Sequence, residues 1–251
     1  MKEQDQPLRQ QLQHLYLRHV LEQYAPVAAE AAQKHWAHVD YLARLIDGET
    51  QLRHQRAVER RLAAARLPAR KLLEDFQWTW PKKINRPQVQ NLFRMAFLPD
   101  KTNVIFMGGV GVGKTHLACA LAYGACLAGH SVRFTTAVDI INTLTAAQIN
   151  HRLKPEIKKL VAPTLLVIDE VGYLPIDQTG ANLLFQVISE RYERGSIVLT
   201  TNQPFKAWPK IFNDDSTLTS AVLDRLLHHA ETVVIEGKSY RMKDQIEDQP
   251  S

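Results

Sequence analysis

The sequence has little cysteine, no long apolar run and no DNA-reading module, and each gap removes a class of protein. Only Cys119 and Cys126 occur in 251 residues, seven positions apart in a stretch of helical character. That spacing puts both on one helix face, so neither a disulfide framework nor a C-x-x-C metal site is available. They read as small core residues of a protein in a reducing compartment. The opening MKEQDQPLRQQLQ has no apolar signal core, and no stretch approaches the roughly 18 apolar residues of a membrane span. A cytoplasmic protein without membrane contact is expected. Helix-turn-helix, zinc-finger and RNA-recognition signatures are missing, so base-specific readout by those modules is not predicted.

With 45% hydrophobic and 23% charged residues, the chain can bury one substantial core and a small accessory domain. The formal net charge of +5 leans toward a polyanionic partner. The most informative stretch is NVIFMGGVGVGKTHLACAL, from Asn103 to Leu121. Gly108, four intervening residues, Gly113, Lys114 and Thr115 satisfy G-x-x-x-x-G-K-[ST], between an expected strand at 104–107 and an expected helix from Thr115. Backbone amides can wrap a phosphate only where side chains are absent, which Gly108, Gly109, Gly111 and Gly113 provide, with Val110 and Val112 between them. The helix beginning at Thr115 and His116 turns its free amides and positive dipole end toward the phosphates. Lys114 then reaches the β and γ oxygens, and the Thr115 hydroxyl is placed to ligate magnesium. ATP and Mg2+ are the expected ligands.

Further along, TLLVIDEVGYLP supplies an apolar strand at 165–168 that ends on Asp169 and Glu170. Beside a phosphate loop, Asp169 can hold magnesium through water and Glu170 can activate the attacking water. A β-branched strand at 197–201 delivers Asn202 to the same sheet edge, where its amide faces a γ-phosphate or lytic water. Thr136 is placed to cap the helix that follows the strand at 132–135.

Ahead of this α/β region, residues 1–73 are expected to form an all-helical N-terminal domain, with Pro26 interrupting it and Gly48 weakening the helical pattern. Residues 74–101 read as a Pro-broken aromatic linker, 102–242 as the ATPase domain and 243–251 as a polar tail. Phe76, Trp78 and Trp80 alternate in the linker; packing on the core is favoured over stacking on a base. Between Gln51 and Lys71 lie seven arginines and lysines against one acid, Glu59. Arg53, Arg56 and Arg60 share a helix face and are candidate contacts to a DNA backbone. Lys154, Lys158 and Tyr173 are further candidates. Contact of this kind is to phosphates and weakens steeply with salt.

The order of these pieces resembles the AAA+ ATPases. The wording of GVGKTHLA at 111–118, VIDEVGYLP at 167–175, LLFQVISERYERGS at 183–196, LTTNQPFKAW at 199–208 and LDRLLHHA at 223–230, followed by SYR at 239–241, is similar to the IstB-like family. These are helper ATPases of bacterial insertion sequences, related to the DnaC-type helicase loaders, and the resemblance covers about residues 36–242. It implies an AAA+ P-loop core with a parallel five-stranded sheet in the order 5-1-4-3-2, flanked by helices. It also implies ATP-dependent homo-oligomers on duplex DNA and a DDE-type transposase partner (IstA-like). By position, Asn202 matches the residue that senses the γ-phosphate. Arg225 matches the arginine finger offered to a neighbouring subunit, and Arg241 a second sensing arginine. With ten residues after Arg241, the usual C-terminal helical lid is not expected, and cover for the nucleotide is expected from the N-terminal domain or the next subunit. The alternatives are a DnaC-like helicase loader, a metabolic P-loop kinase, for which neither an acceptor site nor a mobile lid is evident, and a nucleotide-binding scaffold that never hydrolyses.

Overall fold

The computed structural model describes residues 6–242; the expected polar tail lies outside the described residues. The chain divides into two compact units, one ending at Arg60 and one beginning at Arg61, upstream of the boundary near Leu73 expected from composition.

The first unit contains α1 (Gln6–His14), α2 (Arg18–Gln33) and most of α3 (His38–Ala65). Leu12, Val20 and Leu45 are buried together, with Tyr24, Val27 and Tyr41 packed around them. The break expected at Pro26 does not occur, and α3 runs through Gly48. Pro26 lies inside α2, where the packing of that helix outweighs the lost backbone hydrogen bond. Gly48 lies inside α3 and is there for space: a Cβ would stand 2.0 Å from His19 Nε2. Next to it, Glu49 accepts from the His19 amide at 2.8 Å and so caps α2, whose own Leu17 supplies no side-chain cap. Burial raises the Glu49 carboxyl, but Arg53 and the His19 and Val20 amides outweigh it and hold the group below its usual value.

The second unit is built on β1 (Asn103–Gly108), β2 (Val132–Thr136), β3 (Leu165–Val171), β4 (Ser196–Thr201) and β5 (Ala230–Ile235). All pair in parallel, in the order β2-β3-β4-β1-β5, which is 5-1-4-3-2 read from the other edge. A parallel sheet needs cover on both faces. One face is covered by the apolar side chains of α5 (Lys114–Leu127), including Leu117, Leu121, Cys119 and Cys126. The other is covered by α6 (Ala137–Ile149), α7 (Leu153–Val161), α8 (Gln178–Arg191) and α9 (Ser216–Leu227). Thr136 accepts from the Asp139 amide as its position predicts, and Asp177 and Asp215 cap α8 and α9 in the same way.

The segment at 74–101 is more than a connector. It contains the short helix α4 (Arg86–Leu92), which Asn85 caps through the Gln88 amide and in whose first turn Pro87 sits. Proline there starts a helix rather than breaking one. Val89, Leu92, Phe97 and Leu98 from this segment are buried in the core that α5 shares.

Candidate nucleotide site

Sheet order decides where the chemistry gathers. β1 lies between β4 and β5, with β3 next to β4, so the C-terminal ends of β1, β3 and β4 converge on one edge. β1 runs into the phosphate loop, β3 ends on Asp169 and Glu170, and β4 delivers Asn202.

The loop has the backbone its glycines allow. Gly111 and Gly113 take φ values of +74° and +98°, and Gly113 stands at the N-terminus of α5. A Cβ on Gly113 would come within 2.6 Å of Phe76 Cε2. Val112 is buried in the core and lines the cleft, whereas Val110 is 55% exposed and is not among the described residues lining it. Lys114 is 4% exposed, and its ammonium donates to the Gly108 and Gly109 carbonyl oxygens at 2.8 and 2.6 Å. Burial pushes it below the ordinary lysine value, Asp169 and Glu170 pull it back, and Arg241 pushes it down again. Thr115 Oγ1 donates to the Asp169 carboxylate at 3.0 Å, so the two expected magnesium residues already touch. Glu170 is exposed and lines the same cleft. Asn202 Oδ1 is buried and makes no hydrogen bond among the described residues, an acceptor that suits a water or another donor, although Asn202 is not among the described residues lining the cleft.

The cleft holds about 400 Å³, within the size range of small-molecule sites. Its second wall answers the question of cover. Pro68, Lys71, Asp75, Phe76 and Trp80 face the loop, joined by Tyr240 and Arg241. Trp80 Nε1 donates to the Lys238 carbonyl at 3.0 Å, and its ring meets Tyr240 edge-on at 5.6 Å. The Lys83 and Glu236 backbones pair at 3.1 and 3.0 Å, and the Tyr240 amide donates to the Gly111 carbonyl at 2.9 Å. His116 pairs with the Leu72 carbonyl at 2.8 Å and packs edge-on against Phe76. This wall therefore comes from residues 68–81, which span the end of the expected N-terminal region and the start of the connecting segment, together with Tyr240 and Arg241. Phe76 packs on the core and borders the cleft at once, while Trp78 packs on the core and Trp80 borders the cleft.

The other candidates lie elsewhere. Arg225 is not among the described residues lining the cleft; on α9 it donates to the Ala221 carbonyl at 2.9 Å, with its guanidinium 4.9 Å from the Phe185 ring centre. Lys154 and Lys158 are exposed on α7, four residues apart and therefore on one face. Tyr173 lines the nucleotide cleft, with its ring centre 5.9 Å from Lys114 Nζ. On α3, Arg53 is paired with Glu49 at 3.0 Å, Arg56 is half-buried and Arg60 is exposed.

The glycine cradle, the buried Lys114 and the Thr115–Asp169 pair fit a nucleoside triphosphate with its magnesium ion. In fold, the chain is similar to the DnaC helicase loader (TM-score 0.53, 24% identical, covering 66% of this chain and 96% of that one). It is also similar to AMPPCP-bound DnaA from Aquifex aeolicus (TM-score 0.58, 18% identical, 73% and 57% covered). In sequence it is 41% identical over 233 residues to the ATP-binding protein of insertion sequence IS21 from Pseudomonas aeruginosa, covering 93% of this chain and 88% of the relative. It is 37% identical over 244 residues to that of IS232 from Bacillus thuringiensis subsp. berliner, covering 97% of both chains. Residues 10–248 match the IstB-like ATP binding protein family. With the phosphate loop, the Asp169 ledge and the AAA+ sheet order all in place, the chain belongs to the IstB-like ATP-binding proteins.

Proposed function

We propose that this protein is a magnesium-dependent ATPase that assembles on duplex DNA as the helper of an insertion-sequence transposase, bringing the transposase to its target. The observation that carries the enzymatic part is the placement of Glu170. Its carboxylate is exposed in the phosphate-loop cleft, one residue beyond the buried Asp169 that touches Thr115. Lys114, released from the Gly108 and Gly109 carbonyls, binds the β and γ oxygens. Thr115 and, through water, Asp169 would hold a magnesium ion, which would neutralise charge on those oxygens. Glu170 takes the proton of the attacking water, and Asn202 orients that water or the γ-phosphate. Arg241, already at the cleft, senses the bound phosphates.

Arg225 supports a role in trans, because it stands outside its own chain's cleft. An arginine supplied by a neighbour makes turnover depend on assembly, since charge on the transferring phosphoryl is stabilised only when the neighbour is docked. The basic residues of α3 and α7 support phosphate-backbone contact, and relatives named for insertion sequences support the transposition setting.

The test is the ATP hydrolysis rate per subunit as a function of protein concentration, with and without nonspecific duplex DNA, at low and moderate salt. A rate that rises with concentration and DNA, and whose DNA response fades with salt, is expected. A rate independent of both would refute trans-arginine assembly and point to a self-contained monomeric enzyme.

A further inference from the structure

Glu170 sits in an unusual piece of backbone. Its φ is +63°, a left-handed conformation that costs a non-glycine residue free energy and persists only where the surroundings enforce it. The register of β3 against β4 supplies the cause. Ile168 pairs with Leu199 and Val171 with Thr201, with a register shift between the two pairs. Asp169 and Glu170 therefore stand opposite one residue, Thr200. Two residues facing one is a β-bulge, which re-aims side chains and leaves a backbone group without its ladder partner. Here the Thr200 side chain fills that gap. Its hydroxyl oxygen accepts from the Glu170 amide at 3.0 Å and donates its own proton to Asp169 Oδ1, and the residue is fully buried.

We infer that Thr200 is a positioning residue for hydrolysis: its one hydroxyl clamps both acidic residues, fixing the bulge that aims Glu170 into the cleft and turning the Asp169 carboxylate toward Thr115. This role rests on the ATPase reading above and extends it to a residue that touches neither phosphate nor water. The hydroxyl can serve both residues because it is donor and acceptor at once. A valine has the same shape and can do neither, leaving a buried amide unpaired and the bulge free to relax toward regular pairing. Lys114 and the loop backbone make no hydrogen bond with Thr200, so nucleotide affinity measured without magnesium and turnover should separate.

The experiment compares wild type, Thr200→Val, Thr200→Ser and Glu170→Gln for kcat, KM, fluorescent-ATP affinity and melting temperature. Thr200→Val should lose about 10- to 100-fold in kcat, the cost of the unpaired Glu170 amide and the lost bond to Asp169, with ATP affinity measured without magnesium within about twofold of wild type. Thr200→Ser, which keeps the hydroxyl, should stay within about threefold of wild type in kcat. If the valine variant does not fold, Thr200→Cys takes its place, similar in size but a poor hydrogen-bonding partner, with the same loss expected. Wild-type turnover that Glu170→Gln abolishes and Thr200→Val leaves intact would overturn this inference alone. So would a serine variant as slow as the valine one, since packing rather than the hydroxyl would then matter. Wild type with no turnover above Glu170→Gln would overturn the ATPase reading and this role with it.

Discussion

Replacing Arg191 with methionine should destabilise the ATPase unit by about 3 kcal/mol without touching the nucleotide site. Arg191 is 1% exposed, and its guanidinium donates to the carbonyl oxygens of Leu160, Val161, Pro163, Thr164 and Ser196 at 2.7 to 3.1 Å. Leu160 and Val161 close α7, so the cation caps that helix end and answers its dipole. Pro163 and Thr164 lead into β3, the strand that carries Asp169. Burial pushes the guanidinium down to about 10, which still leaves it charged at neutral pH. The bonds to Leu160 and Ser196 are fully buried, and each orphaned carbonyl costs about 1–3 kcal/mol. The other three carbonyls can recover water, and removing a buried charge returns part of the loss. In a unit of this size, about 3 kcal/mol lowers the melting temperature by about 6–12 °C. Thermal and urea unfolding of wild type, Arg191→Met and Arg191→Lys measure it. Lysine, with three donors radiating from one point, should fall between the other two. A methionine variant within about 1 kcal/mol of wild type would refute the reasoning, because the five carbonyls would then need no donor.

Glu170→Gln should bind ATP normally and lose at least about 100-fold in turnover, and Arg225→Ala should do likewise. Mixing the two should restore turnover, because the glutamine subunit offers Arg225 to an intact neighbouring site; no recovery in the mixture would count against a trans arginine. Arg56→Glu with Arg60→Glu should abolish DNA binding in a gel-shift assay while leaving ATP affinity unchanged. Arg53 is better replaced by glutamine, since a glutamate there would face the buried Glu49 and unfold the helical unit. Burial raises Cys119 to about 12 and Cys126 to about 11 from an ordinary thiol value of 9.0. Stability from the neutral thiols is therefore complete below pH 9 and lost as pH rises from about 9 to 12. The double alanine variant should flatten that part of the unfolding-against-pH curve.

The phosphate loop, the Asp169–Glu170 strand end and the Thr136 cap were legible because each is a local pattern: glycines at fixed offsets, an apolar run ending in acids, a hydroxyl three residues before an amide. Pro26 and Gly48 misled for one reason. Their local cost is real, but the packing around Val20 and the close approach of His19 are long-range facts that a window of sequence does not contain. The segment at 74–101 looked like a connector because its prolines and aromatics carry no period, yet those aromatics divide between core and cleft. Thr200 was invisible as a functional residue. As one β-branched residue in SIVLTT it only signals a strand, and its second role exists because β3 slips by one residue against β4.

The bond from the Tyr240 amide to the Gly111 carbonyl also sets a timetable. A chain emerging from the ribosome exposes its phosphate loop first, while β5, which pairs along the length of β1, and the residues that close the cleft beside Gly111 have yet to be made. The newborn protein therefore has the loop sequence before it has the β5 neighbour of β1 and the Tyr240–Arg241 wall of the cleft.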